Sequence, residues 1–165
     1  MSTDLTPSQI KKMLHLDPHP IEGGWFRQTF ASARTAKTQR GPRPNSTAIY
    51  YLLEEGAFSE MHQLASDEVF HFYLGDAVEM LQLWPDGSSR VVRMGPDLAA
   101  GEELQVVVPA GVWQGTRLLE GGQVALLGCT VAPGFDYADY ARASCKELAE
   151  RWPEQAERIR ALTRF

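Results

Sequence analysis

The chain has 165 residues, of which 44% are hydrophobic and 22% are charged, so we expect one globular domain spanning residues 1–165. Its formal net charge of -5 disfavours a nucleic-acid partner, because binding to a phosphate backbone depends on clustered Lys and Arg. No stretch approaches the roughly 18 consecutive apolar residues of a membrane helix, and no basic-then-apolar leader opens the chain, so we expect a cytoplasmic protein with no membrane partner.

The first predicted element is a short helix, since Thr6 and Gln9 form a capping-box pattern around Pro7. The basic run 34–43 is interrupted by Gly and Pro, and we interpret it as a solvated loop. Short strands bounded by turn residues are predicted at 25–30, 47–54, 69–74, 77–84, 90–94, 104–108, 112–118 and 123–131. Strands of this length and spacing are typical of an antiparallel sandwich or barrel.

The C-terminal segment is predicted to be helical. Ser144 and Glu147 repeat the capping-box pattern, and Pro153 can open a further helical segment. The predicted strand 77–84 is apolar on both alternating faces, which indicates that one sheet is covered on both sides. The terminal helices or a partner subunit would supply that cover, and we expect a homodimer.

Residues 56–75 carry the side chains best suited to chemistry, because they place His62 and Glu68 among apolar residues that predict strand. Their spacing resembles the first signature of the cupin superfamily, with Leu64 where that signature has a second His. The later cupin signature, Pro-x-Gly-x-x-His, ends here on Gln114. Two of the four metal ligands usual in cupins are therefore replaced.

Five ordered blocks extend this resemblance over most of the chain. They are HPIEGGWFRQTF (19–30), STAIYYLL (46–53), HQLASDEVFHFYLGD (62–76), PAGVWQG (109–115) and VAPGFDYADY (131–140). The chain resembles the fifth cupin family, a group of small barrels mostly without an assigned function. This resemblance implies a single all-β cupin domain, a double-stranded β-helix or jelly-roll barrel with the site at its mouth, usually as a dimer.

A second resemblance is to the dTDP-sugar epimerases of the same superfamily. Gly24, Trp25, Phe26 and Gln28 are similar to the Gly-aromatic-Phe segment and following polar residue of those enzymes. Those enzymes need no metal, and they use a His as base beside a carboxylate and a Tyr as acid. The resemblance implies a metal-independent isomerase or epimerase acting on a sugar or carboxylate metabolite.

His62 is the leading candidate for a catalytic base. At the end of a strand facing the barrel interior its neutral imidazole would meet substrate, and Glu68 could orient it and raise its basicity. The alternative is that His62 and Glu68 are the remains of a metal site and only hydrogen-bond each other. Tyr50 and Tyr51 point to opposite faces, and the apolar register favours Tyr51 as the proton donor in the cavity.

A metal site would have to use His62, Glu68 and Gln114. Because Gln is a neutral and weak ligand, this set has fewer good ligands than the three or four of a catalytic zinc site. A divalent metal is a possible cofactor, but we do not expect tight binding. Gly23 and Gly24 lack the strand–loop–helix setting of a phosphate cradle, so no other cofactor is indicated.

One face of the early strand is a candidate for substrate binding. Trp25, Arg27 and Thr29 alternate along that strand and therefore share a face. Arg27 could hold a carboxylate or phosphate, or else form a surface ion pair. Gln114 would add a further polar contact.

The strand that carries Glu68 offers further candidates. Phe70 and Phe72 share the face of Glu68 and would give the cavity an aromatic lining, or else fill the core. His71 lies three residues after Glu68, and this odd offset sends the two side chains to opposite faces unless a bulge intervenes. His71 is therefore either a substrate contact or part of a sheet or subunit contact.

Three hypotheses for function follow. The first is a small-molecule isomerase or epimerase with His62 as acid and base. The second is a module that binds a small ligand without changing it. The third is a divalent-metal-dependent cupin enzyme, which the two replaced ligands place last.

Overall fold

The computed structural model describes residues 4–165, which form a two-sheet β structure with short helices at both ends. The helices are α1 (Pro7–Met13), α2 (Cys145–Arg151) and α3 (Ala156–Ala161). The strands are β1 (Asp17–Pro18), β2 (Trp25–Ala31), β3 (Thr35–Thr38), β4 (Gly41–Pro44), β5 (Thr47–Glu54), β6 (Phe58–Leu64), β7 (Asp67–Gly75), β8 (Val78–Leu83), β9 (Ser89–Met94), β10 (Gln105–Val108), β11 (Trp113–Leu118), β12 (Val124–Ala132) and β13 (Tyr140–Arg142).

Two antiparallel sheets enclose the core. The first, which we call sheet I, has the order β1-β2-β5-β12-β7-β10, and the second, sheet II, has the order β13-β6-β11-β8-β9. Inward-pointing side chains of both sheets form the main core, among them Leu53, Phe70, Met80 and Leu127. Consecutive positions of these strands alternate between this core and the outer faces, as the period of a strand requires. The predicted all-β jelly-roll barrel with terminal helices is confirmed.

Terminal helices cover the outer faces of both sheets, and the C-terminal ones supply the cover that the apolar strand 77–84 requires. Helix α1 packs Ile10 against Leu52 and Leu126 on the outer face of sheet I. The C-terminal helices pack against the outer face of sheet II, where Trp152 joins Leu81 in one buried cluster. Both predicted capping boxes are present at the starts of α1 and α2. Within residues 4–165, no helix is long and apolar enough to cross a membrane.

The eight predicted strands are all present, but the hairpin of β3 and β4, strand β6 and the short strands β1 and β13 were not predicted. The basic run 34–43 is not a solvated loop, because β3 and β4 form a hairpin there. Arg43 of that hairpin is buried and donates to both carboxylate oxygens of Asp139 at 2.9 Å. Strand β6 was also missed, because its polar residues do not alternate with apolar ones at period two.

Candidate functional site

A cavity of about 300 Å³ opens between the two sheets. Strands from both sheets and two loops line it, with His19, Glu22, Phe26, Gln28, Thr47, Ile49, His62, Leu64, Glu68, Cys129, Val131, Phe135 and Tyr137. Most of these side chains are apolar or aromatic, and a few polar groups converge among them. Small-molecule sites have this size and this mixture of surfaces.

A β-bulge in β6 aims His62 into this cavity. In the pairing of β6 with β11, His62 lies opposite Gln114 and Ser59 lies opposite Thr116, so three steps on β6 match two on β11. Ser59 and His62 therefore both face inward, although a regular strand would send residues three apart to opposite faces. Bulges of this kind recur next to functional sites because they redirect a side chain.

The imidazole of His62 is held in one tautomer. Its Nδ1 lies 2.6 Å from the carbonyl oxygen of Glu60, which can only accept, so Nδ1 carries the proton. The ring stacks on Tyr140 with 4.7 Å between centroids. Its Nε2 is left with a free lone pair and lies 4.0 Å from Oε2 of Glu22. A neutral His62 therefore presents a base to the cavity.

His19 is held in the opposite tautomer. Its Nδ1 accepts the backbone N–H of Glu22 at 3.0 Å and that of Ile21 at 3.3 Å, so the proton of the neutral ring is on Nε2. That Nε2 lies 3.6 Å from Oε2 of Glu22. Burial lowers the pKa of His19, which keeps the ring neutral near pH 7.

The carboxylate of Glu22 lies between the two imidazoles. Ser59 donates to its Oε1 at 2.6 Å, while its Oε2 is the oxygen near both rings. The sequence reasoning missed both His19 and Glu22. Their signal was the block HPIEGG, where a His and a Glu precede a pair of glycines just before a strand.

Two hydrogen bonds to the backbone of Glu22 hold the loop that carries it. Its backbone carbonyl accepts from the N–H of Glu60 at 2.9 Å and from Nη2 of Arg164 at 3.0 Å. The next residue, Gly23, has φ of +99°, and Arg164 and the Phe58 carbonyl fill the space where a Cβ would stand. Only Gly fits there.

Glu68 lines the cavity from β7 but is not the carboxylate beside His62. It accepts a hydrogen bond from the side-chain amide of Gln114, and no ion pair joins it to His62 in residues 4–165. Burial, followed by the charge of Glu22, raises the pKa of Glu68 to about 8. Glu68 is therefore a neutral carboxylic acid near pH 7.

Tyr51 faces the interior, whereas Tyr50 faces outward against Tyr73. The Tyr51 hydroxyl donates to the carbonyl oxygen of Gly23 at 2.6 Å, and the side chain does not line the cavity. Burial raises the pKa of Tyr51 well above its usual value. Its contact supports the loop of Glu22 rather than reaching the cavity.

The structure places Trp25, Arg27 and Thr29 outside the cavity. The Trp25 indole donates to Glu54 at 2.8 Å, and the Arg27 guanidinium lies 5.7 Å from the ring centroid of Tyr50. Thr29 is exposed and donates to a backbone carbonyl. The opposite face of β2 supplies the cavity instead, through the neighbouring Phe and Gln side chains.

The remaining candidates on β7 divide between the core and the outer face. Phe70 and Phe72 are buried in the core and do not line the cavity. His71 points outward, where its Nδ1 accepts from Gln105 and its Nε2 lies 3.2 Å from the Thr130 hydroxyl. No bulge brings His71 inward, so it belongs to the outer surface of sheet I.

The donors at the cupin metal positions do not fit a tightly held divalent ion. No group of three or more His, Cys, Asp or Glu in the described part of the chain is arranged to hold a metal. Gln114 turns its amide N–H toward Glu68, and its oxygen has no hydrogen-bond partner among the described residues. A carboxyl that burial keeps protonated is a poor ligand, so His62, Glu68 and Gln114 together do not fit a divalent metal.

The chain is similar in sequence and structure to several known proteins. A family described as Cupin superfamily (DUF985) matches residues 8–143. A hypothetical protein from Leishmania major has a similar solved structure, with TM-score 0.91 and 29% identity over 98% of this chain and 100% of its own. A Shewanella oneidensis protein has TM-score 0.87 and 32% identity over 97% and 98% of the two chains. An uncharacterised Saccharomyces cerevisiae protein is 30% identical over 152 residues, 81% of this chain and 75% of its own.

Proposed function

The chain belongs to the cupin family described as DUF985, and from that premise we propose that it binds a small molecule in the barrel cavity and moves a proton on it, as an isomerase or epimerase does. The observation that carries this proposal is the pair of opposite tautomers. His62 offers a lone pair to the cavity, and His19 offers an N–H on the other side of Glu22. One site thus holds a candidate base, the Nε2 of His62, and a candidate acid, the Nε2–H of His19.

The proton transfer can be written with these groups alone. His62 Nε2 takes a proton from a carbon next to a carbonyl, and the electron pair of the broken C–H bond moves onto the carbonyl oxygen. That oxygen accepts a hydrogen bond from His19 Nε2–H. Return of the proton to the opposite face of the same carbon completes an epimerisation, and its delivery to another carbon conjugated with the enolate completes an isomerisation. Glu22 stabilises the imidazolium of His62 in between, because its Oε2 lies 4.0 Å from Nε2.

The roles of Glu68 and Tyr51 differ from those expected from the sequence, in which Glu68 orients the base and Tyr51 is the proton donor. Glu68 keeps its proton near pH 7 and faces the cavity, so it can donate to a polar atom of the ligand. Tyr51 holds the Gly23 carbonyl and so positions the loop of His19 and Glu22.

Exchange of substrate hydrogen for deuterium tests the proposal. We expect the protein in deuterated buffer to accelerate loss of the α-proton NMR signals of at least one of hydroxyacetone, cyclohexanone and phenylacetone. The variant His62→Asn should lose at least about 100-fold of that acceleration, because Asn can replace the Nδ1 donor but not the Nε2 base. No acceleration of any of the three ketones would contradict the proposal.

His15→Asn is the matched control. His15 lies outside the cavity with φ of +53°, a conformation that Asn adopts readily. This variant should exchange like the native protein, and an equal loss in both variants would also contradict the role of His62. The second candidate, a non-catalytic binding protein, is favoured if ligands bind in the cavity without any exchange.

We also infer that two copies pair through the outer face of sheet I. Helix α1 covers only one part of this face, and beyond it Tyr73 and Val107 are 51% and 52% exposed. The side chains between them, Val69, His71, Gln105 and Thr130, include no Asp, Glu, Lys or Arg, and Gln105 and Thr130 each hydrogen-bond to His71. A patch without permanent charges suits a two-fold contact, because each residue near the axis meets its own copy.

Sedimentation velocity tests this pairing. We expect a dimer for the native protein and a monomer for Val107→Glu, because the substitution brings like charges together near the two-fold axis. Leu98→Glu is the control, since Leu98 is 63% exposed and lies in a separate turn, and it should remain dimeric. A monomeric native protein, or a dimeric Val107→Glu, would contradict the interface.

A further inference from the structure

The charges around the cavity define the kind of ligand that it accepts. Its lining includes the carboxyl groups of Glu22 and Glu68 but neither Lys nor Arg among the residues that the structure describes. Arg27, which the sequence offered as an anion clamp, lies on the outer face against Tyr50. A carboxylate or phosphate in the cavity would meet Glu22 without a permanent positive charge to offset the repulsion.

Glu22 lacks a permanent cationic partner in the described chain. Its side chain is 12% exposed, and its ion-pair contacts are with the imidazoles of His19 and His62 alone. Ser59 satisfies Oε1 by a hydrogen bond, which leaves Oε2 as the acceptor nearest the cavity. A buried carboxylate is most stable when a cation pairs with it, and a ligand can supply that cation.

Aromatic rings continue from the imidazole of His19, beside Glu22, to the exposed ring of Tyr137. The ring of His19 lies 4.8 Å from that of Phe26 and 6.3 Å from that of Tyr137. Phe135 meets Tyr137 edge to face at 4.9 Å. Ring faces attract an organic cation by cation–π interaction, and they also cover an apolar body.

We propose that the ligand of this cavity is a small organic ammonium compound, with its nitrogen at Glu22 Oε2 and its apolar body against Phe26, Phe135 and Tyr137. This assignment rests on the proposed function for the location of the site. It replaces the sugar or carboxylate metabolite expected from the sequence, since the cavity walls are largely apolar and lack a cation in the described residues.

Three probes of matched shape test the assignment: benzylammonium, benzyl alcohol and benzoate. NMR titration at neutral pH should show benzylammonium binding at least about 10-fold more tightly than benzyl alcohol, with benzoate weakest. Glu22→Gln should remove at least about 10-fold of the benzylammonium affinity and leave benzyl alcohol unchanged. Gln at this position can still accept the hydrogen bond of Ser59, so the loop is expected to keep its structure.

The ammonium assignment and proton transfer by His62 can fail independently. Benzoate binding as tightly as benzylammonium, equal affinities before and after Glu22→Gln, or no binding of any probe would overturn the ammonium assignment. Deuterium exchange into the neutral ketones would still support proton transfer by His62 in that case. Glu120→Gln, a change at an exposed position outside the cavity, is the matched control and should bind all three probes like the native protein.

Discussion

Replacing Glu68 by Gln is expected to stabilise the protein by roughly 2–5 kcal/mol at about pH 9 and to leave it nearly unchanged at about pH 4. The folded protein holds Glu68 at a pKa of about 8, against a usual value of 4.5. Gln keeps the acceptor for the amide of Gln114 and has no charge to bury. The variant therefore removes the free-energy cost of burying an ionised carboxylate, and that cost depends on pH.

The direction in which the free energy of unfolding changes with pH follows from the protons bound by the folded and the unfolded chain. Between about pH 4.5 and about pH 8 the unfolded chain has lost the Glu68 proton while the folded protein retains it. The free energy of unfolding of the native protein therefore falls as pH rises through this window. Above about pH 8 both states are ionised, and the full cost of the buried charge remains.

Urea unfolding of both proteins at several pH values measures this difference. The gap in free energy of unfolding should widen from about pH 4.5 to about pH 8 and then stay constant. Glu120→Gln, at an exposed position, should show no such widening. A difference that is independent of pH would mean that burial of Glu68 does not control its titration.

Replacing Trp152 by Ala is expected to lower the free energy of unfolding by about 3–5 kcal/mol. Trp152 is 1% exposed and fills the cluster that joins α2 and α3 to the outer face of sheet II, beside Met61, Leu81 and Ile159. Its indole N–H also donates to the carbonyl of Ser88 at 3.1 Å. The change leaves a cavity and removes one of the two hydrogen bonds that the Ser88 carbonyl accepts, since the N–H of Trp84 still donates to it at 2.9 Å.

Trp152→Phe separates the two contributions. Phe retains much of the apolar volume but cannot donate, so we expect an intermediate loss of about 1–3 kcal/mol. Leu98→Ala, at a position 63% exposed, should change the free energy of unfolding by less than about 0.5 kcal/mol. Losses below about 1 kcal/mol for Trp152→Ala would show that the C-terminal helices contribute little to global stability.

Local sequence patterns were sufficient for much of the fold. The predicted strand 47–54 coincides with β5, because its apolar residues and its flanking turn residues lie within one short stretch of chain. The helix starts at Thr6 and Ser144 were predictable for the same reason, since a capping box spans only four residues.

The faces of the strands were harder to predict. Alternation along β2 shows that Trp25 and Arg27 share one face and Gln28 has the other, but both faces carry an aromatic residue. The position of α1, which packs against Trp25, decides that this face is the outer one. An element far from a strand can thus determine which of its two faces reaches the site.

The arrangement of the site could be seen only in the tertiary structure. His62 was identifiable from its spacing, yet its orientation depends on a bulge that forms only when β6 pairs with β11. Its carboxylate neighbour is Glu22 rather than Glu68, because contacts from Arg164 and Tyr51 hold a loop that is distant in sequence against β6.

The sequence by itself therefore determined the fold class, most strands and both capped helices, and it singled out His62, which lines the cavity. The tertiary structure decided which carboxylate faces that histidine, which face of β2 lines the cavity and that no Lys or Arg among the described residues lines it. The physical reason is the range of the interactions. Periodicity and capping act between residues a few positions apart, whereas the charge and shape of a cavity depend on side chains that meet only after the chain has folded.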